Sequence, residues 1–170
     1  PVWWYCVRRG AADGSRSNNV SMSLMERMLN TETGAAPKPQ LMLLAESDDV
    51  VRVVTAKALE ATSRYRVVEV TSVQEALEQM EVVAFAAVLL NPKTEGMDDL
   101  RAAEALYLLA DAAGCPVIAF SDIPQTDLGL VYPFGFAGVV NKPFWGRDLL
   151  DQVSAVRAQF AVGLTSAIDD

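Results

Sequence analysis

The chain has 170 residues, of which 51% are apolar and 21% are charged, a composition typical of one folded domain with extensions and not of a disordered protein. Its net charge of −8 disfavours nonspecific binding to nucleic acid or to an anionic membrane, and its longest apolar stretch, residues 82–90, is about half as long as a membrane span. The sequence contains no histidine, which removes the usual general base and metal ligand, and its two cysteines, Cys6 and Cys115, suit the reducing cytoplasm.

Residues 1–39 are predicted to form an N-terminal extension and linker. The first six residues include three aromatic side chains but are too few to form a core. Gly34, Pro37 and Pro39 interrupt any regular element before the first strand. Proline at position 1 is not a translation start. These residues are therefore either a genuine extension or a remnant of cloning or processing, and both readings stay open.

Strands and helices alternate from residue 41 to residue 157. Continuous apolar runs of this kind are typical of strands buried on both faces, and Ser72 with Glu75 forms a capping box at a helix start. The predicted elements are strands at 41–45, 66–70, 84–90, 116–120 and 139–140, and helices beginning at Asp48 or Asp49, at Ser72 (to Glu81), at Asp99 (to Ala113) and at Arg147 (to Arg157). This order predicts an α/β fold with a doubly wound, five-stranded parallel sheet. Residues 158–170 are predicted to be a C-terminal tail.

The helix expected between the fourth and fifth strands is poorly encoded. Pro124, Gly129 and Pro133 fall within residues 121–135, so only about residues 125–132 can be helical. Gly129 alone costs roughly 1 kcal/mol relative to alanine in a helix. We expect this helix to be short or distorted.

Two motifs indicate a family. In the first motif, Asn91 ends an apolar run and opens a loop that contains Gly96. In the second, Asn141-Lys142-Pro143-Phe144 comes after the glycine-containing segment 135–138 and the short fifth strand. With these motifs in this order, residues 41–157 resemble the receiver domains of bacterial response regulators. The resemblance implies the flavodoxin-like strand order 2-1-3-4-5 and a cis Lys142–Pro143 bond. It also places Asn91 where the family has its phosphorylated aspartate, and a carboxamide is a far poorer nucleophile than a carboxylate.

The resemblance carries over five more positions. Glu46 and Ser47 match the adjacent acids that hold Mg²⁺, Ser121 matches the hydroxyl residue that contacts the phosphoryl group, and Val139 matches the aromatic switch. Lys142 matches the lysine that reaches the phosphoryl group. A shifted register would bring Asp48 and Asp49 into the site, but since Ala45 already ends the strand we predict that these acids cap the helix.

The charges of this pocket predict no metal site and no cofactor. Glu46 and Lys142 are its only expected ions, whereas Mg²⁺ usually needs one or two carboxylates in a near-octahedral set of oxygens. We expect Lys142 to pair with Glu46 and to donate a hydrogen bond to the Asn91 oxygen, which leaves the pocket satisfied without a metal. The chain is therefore predicted not to be an enzyme.

These features predict a phosphorylation-independent pseudo-receiver that signals through protein–protein interaction. A protein partner or a second copy is expected on the surface made by the fourth predicted helix, the fifth strand and the closing helix, where Leu128, Tyr132, Phe134 and Trp145 are candidate contacts. No nucleic acid or membrane partner is expected.

Two other functions stay open. The vacated pocket lies where open α/β sheets bind small molecules, so the chain is alternatively a small-molecule sensor. It is also open that the chain is a residual enzyme or a conventional phosphorylated regulator that uses Glu46, Ser47 or Ser121. Acetyl phosphate would then modify it.

Overall fold

A computed structural model describes residues 38–122 and 135–166 of the chain. The described elements, in chain order, are β1 Gln40–Ala45, α1 Asp49–Glu60, β2 Tyr65–Val70, α2 Val73–Val82, β3 Ala87–Leu90, α3 Leu100–Ala112, β4 Val117–Ser121, β5 Gly138–Asn141 and α4 Gly146–Ser166. Residues 1–37 of the predicted extension, the predicted helix at 125–132 and the candidate contacts Leu128, Tyr132 and Phe134 lie outside the described residues.

The five strands form one sheet in the order β2-β1-β3-β4-β5. All four strand pairs are parallel, as expected when each strand is followed by a crossover that returns the chain to the same edge. Both the doubly wound α/β class and the flavodoxin-like order predicted from the sequence are confirmed. The compact unit that contains this sheet begins at Pro39.

Alternate residues of the central strands supply two cores, one on each face of the sheet. Leu43 and Ala45 of β1 face α2 and α3, where Leu106 of α3 is fully buried. Met42 and Leu44 face α1 and α4. Because both faces of β1 are covered, its sequence is continuously apolar rather than alternating.

Short polar side chains begin the helices. Asp48 accepts a hydrogen bond from the Val51 N–H at 2.9 Å, so Asp48 is the N-cap of α1. Ser72 caps α2, as predicted, but Glu75 accepts from the Thr71 N–H at 2.7 Å. The hydrogen bonds from Thr71 lower the pKa of Glu75.

Two predicted boundaries are wrong. β3 begins at Ala87 instead of residue 84, because its pairing with β1 starts at Met42 opposite Ala87. The closing helix, α4, continues to Ser166 instead of ending at Arg157, since no proline interrupts the chain there. Part of the predicted C-terminal tail is thus helical. Among the described helices, none is long and apolar enough to cross a membrane.

Candidate functional site

The sheet brings the predicted site residues to one edge. Ala45 of β1 lies opposite Leu90 of β3, so the residues that follow these strands, Glu46 and Asn91, are neighbours. Lys142 directly follows β5 and approaches the same edge. The Lys142–Pro143 bond is cis, as the resemblance implied. This edge is formed by the carboxyl ends of parallel strands, where open α/β folds usually bind ligands.

The carboxylate of Glu46 is the centre of this arrangement. Its side chain is only 2% exposed, and it accepts hydrogen bonds from Asn91 Nδ2 at 2.9 and 2.8 Å and from the Asp48 N–H at 3.1 Å. Lys142 Nζ lies 2.6 Å from Glu46 Oε2. A buried carboxylate needs such compensation, because loss of hydration without a partner is costly.

The predicted ion pair between Lys142 and Glu46 is therefore present. Lys142 Nζ also lies 4.2 Å from the centre of the Phe120 ring, a position in which the ring face attracts a cation. The predicted hydrogen bond from Lys142 to the Asn91 oxygen is wrong. Asn91 Oδ1 accepts from the Lys93 N–H at 3.0 Å, and this bond turns the NH₂ group of Asn91 towards Glu46.

The Ser47 hydroxyl is hydrogen-bonded to neighbouring loops and not to Glu46. It donates to the Thr71 carbonyl at 3.1 Å and accepts from the Glu95 N–H at 3.0 Å. The hydroxyl therefore links the end of β1 to the loops that follow β2 and β3. Ser121 is buried at the end of β4, and Val139 is half-buried in β5.

These residues do not fit a divalent cation of the kind that Mg²⁺ represents. Glu46 supplies the one carboxylate at the predicted metal positions, and both of its oxygens receive N–H donors. Asn91 presents its NH₂ group to Glu46, whereas a metal ligand would present an oxygen. Within residues 38–122 and 135–166, no group of three or more His, Cys, Asp or Glu side chains is arranged to hold a metal.

Sequence reasoning missed a second ion pair at this edge. Lys93 Nζ lies 3.0 Å from Asp122 Oδ1, and both side chains are largely exposed. The hydrogen bond from Lys93 lowers the pKa of Asp122. The prediction that Glu46 and Lys142 are the only ions of the pocket is therefore wrong. Both missed residues closely follow Asn91 and Ser121, and that proximity to the strand ends was the available signal.

The edge forms a cleft of about 690 Å³ with two unlike sides. Its polar floor contains Glu46, Asn91 and Lys142, and its apolar wall includes Val54 of α1 and Phe144. The floor groups are occupied with one another, as the distances above show. The apolar residues of the wall, by contrast, can contact an apolar ligand.

No protein-family model matches this sequence, and no curated protein sequence matches it. Many solved structures are nevertheless similar in fold. The chemotaxis response regulator CheY4 of Vibrio cholerae is 16% identical with a TM-score of 0.60, and the alignment covers 69% of this chain and 98% of that one. The signal receiver domain of the response regulator NarL from Mycobacterium tuberculosis is 19% identical with a TM-score of 0.62, covering 72% and 98%.

A third similar structure is the receiver domain of the sensor histidine kinase PA1611 from Pseudomonas aeruginosa, which was solved with a magnesium ion in its active-site cleft. It is 22% identical with a TM-score of 0.60, and the alignment covers 72% of this chain and 98% of that one. At these identities the likeness establishes the fold. The fold is that of response-regulator receiver domains.

Proposed function

We propose that this chain is a phosphorylation-independent pseudo-receiver, a cytoplasmic signalling module that acts through protein–protein contacts and not as an enzyme. The observation that carries this proposal is the pair of hydrogen bonds, 2.9 and 2.8 Å long, from Asn91 Nδ2 to the Glu46 carboxylate. At the position where the receiver reaction needs a nucleophilic oxygen, this chain directs a hydrogen-bond donor inward. A carboxamide nitrogen is a far poorer nucleophile than a carboxylate oxygen, so phosphoryl transfer to Asn91 is strongly disfavoured.

The charge balance supports the same proposal. In phosphoryl transfer, cations neutralise the negative charge that develops on the transferred group. Here Lys142 is held by Glu46 at 2.6 Å and by the Phe120 ring. Contacting an incoming phosphoryl group would require Lys142 to leave a buried carboxylate, which is unfavourable. The chain thus keeps the receiver fold, while Glu46, Asn91 and Lys142 in the pocket bind to one another by hydrogen bonds and an ion pair.

Three further observations favour protein contacts in the cytoplasm as the use of this domain. The acidic net charge of −8 disfavours a nucleic acid partner. Trp145 is 82% exposed, and large exposed apolar side chains are typical of interaction surfaces. The reduced, buried thiol of Cys115 agrees with a cytoplasmic location.

The test is exposure of the full chain to acetyl phosphate and Mg²⁺, followed by intact-mass measurement and tryptophan fluorescence. We expect no phosphoryl adduct and no change in fluorescence, while an active receiver domain treated in parallel gains one phosphoryl group. A stable adduct of one phosphoryl group on this chain would contradict the proposal.

A second candidate function is a small-molecule sensor, and the cleft of about 690 Å³ is the observation that favours it. Its size is in the range of small-molecule sites, and its apolar wall above a polar floor is their usual chemistry. Native mass spectrometry of the purified chain, together with thermal-shift measurements on a metabolite set, tests this candidate. A bound metabolite whose effect is lost in Val54→Asp would support it.

A further inference from the structure

Helix α1 leaves an apolar strip in solvent. Val50, Val53 and Val54 are 73%, 40% and 55% exposed, and their spacing of three and four residues puts them on one side of the helix. The opposite side is already used, since Ala56 and Leu59 of α1 are buried against the sheet. The valines of the strip are therefore not part of the core of this domain.

The segment that contains Trp145 lies next to this strip. Phe144, the neighbour of Trp145, lines the same cleft as Val54, and a Cβ atom built on Gly146 would lie 3.9 Å from the Ala58 Cβ. The segment that carries the 82% exposed Trp145 thus runs beside the C-terminal half of α1. We call the exposed apolar residues of α1 and of this adjoining segment the α1 surface: Val50, Val53, Val54 and Trp145.

The charges along α1 select the partner. Asp48 and Asp49 stand at its N-terminus and Lys57 stands in its last turn. All three are exposed, and Asp49 also pairs with Arg52 of its own helix. If two copies of this helix pair antiparallel about Val53, position 49 of one copy lies opposite position 57 of the other. Each end of the strip then meets a charge of opposite sign, and Val53 meets its own counterpart. Such self-complementarity is what a two-fold symmetric interface requires.

We propose that the α1 surface binds a second copy of this chain, with the two α1 helices antiparallel. This inference rests on the proposed function, because it specifies the partner and surface of the protein contacts assigned there. The same symmetry places position 58 of one copy opposite position 48 of the other. Gly146, the neighbour of Trp145, lies near Ala58, and Asp48 lines the cleft. This arrangement would bring Trp145 of each copy near the cleft of the second copy.

The first test is sedimentation velocity of the full chain over a range of concentrations. We expect a reversible dimer for the natural sequence and a monomer for Val54→Asp. The matched control is Val82→Asp, which makes the same change at a valine that is 77% exposed at the end of α2. We expect Val82→Asp to dimerise as the natural sequence does. Circular dichroism and thermal unfolding of both variants establish that each is folded.

The second test reverses charges. Asp49→Lys and Lys57→Asp, made singly, each turn two attractive cross-dimer pairs into repulsive ones, and we expect each to weaken dimerisation about tenfold. Combining the two changes in one chain restores opposite signs across the interface, so we expect the double variant to recover most of the affinity. Recovery by the double variant is not expected from a merely structural effect on α1.

A natural sequence that stays monomeric at every concentration would overturn the inference. Equal dimerisation of Val54→Asp and Val82→Asp, or a double charge variant weaker than both single ones, would overturn it as well. The acetyl phosphate experiment is independent of this result. A monomer that takes up no phosphoryl group contradicts the α1 pairing and leaves the proposed loss of phosphorylation intact.

Discussion

Replacing Lys142 by methionine isolates the buried ion pair. Methionine keeps a long apolar stem against the Phe120 ring but removes the charge that lies 2.6 Å from the Glu46 carboxylate. Breaking a buried pair from one side typically costs about 3–5 kcal/mol. The Lys142 side chain is 21% exposed, and Asn91 and the Asp48 N–H still donate to Glu46. We therefore expect a loss of about 2–3 kcal/mol in the free energy of unfolding.

Urea unfolding at pH 7 measures this loss, and a matched lysine provides the control. Lys93 forms an exposed pair with Asp122, so Lys93→Met is expected to change stability by less than about 0.5–1 kcal/mol. The double variant Glu46→Gln/Lys142→Met removes both buried charges, and we expect it to be more stable than Lys142→Met alone. A Lys142→Met deficit no larger than that of Lys93→Met at pH 7 would refute the reasoning.

Three further predictions concern the site and the core. Asn91→Asp alone should not be phosphorylated efficiently by acetyl phosphate, because it places a second carboxylate against Glu46 without completing a metal site, and robust labelling by intact mass would contradict this. Gly138→Ala should cost about 1–3 kcal/mol in urea unfolding, since its Cβ would lie 2.6 Å from Val156 Cγ2, and adding Val156→Ala should recover part of that loss. Burial raises the pKa of the Cys115 thiol to about 11, so the unfolded thiol ionises first and stability should fall as pH rises from about 9 towards 11. This fall should be smaller in Cys115→Ala, and equal slopes for the two proteins would contradict it.

Much of the fold could be predicted because local patterns and tertiary demands agree. The apolar run at 41–45 is continuous because both faces of β1 are covered. Asp48 ends up as the cap of α1 because the strand already ends at Ala45. Boundaries failed where pairing decides them: β3 starts at Ala87, where its pairing with Met42 of β1 begins, and no single segment carries that information.

The site was predicted less completely. The approach of Glu46 to Lys142 follows from strand order and charge, and this contact is present. The orientation of Asn91 does not follow, because an amide can offer either its NH₂ group or its oxygen to a neighbour. The Lys93 backbone N–H decides the orientation by donating to Asn91 Oδ1 at 3.0 Å. Such a contact depends on loop geometry that residue order alone does not express.

The interaction surface shows a different limit of sequence reasoning. The predicted face included Leu128, Tyr132 and Phe134, which lie outside the described residues, and Trp145. Among described residues, the segment of Trp145 and Gly146 lies beside Ala58 of α1, the helix that carries the exposed valines. Exposure of Val50 and Val54 could not be predicted, since valines at helical spacing are usually core residues.

The most direct test of the central claim is a crystal structure of the chain grown or soaked with Mg²⁺ and beryllofluoride, a mimic of the phosphoryl group. We predict that Asn91 Nδ2 and Lys142 Nζ keep their hydrogen bonds to Glu46 and that neither ion is bound at the carboxyl edge of the sheet. A magnesium ion coordinated octahedrally by oxygens of Glu46, Ser47 and Asn91, with beryllofluoride beside it, would contradict the account.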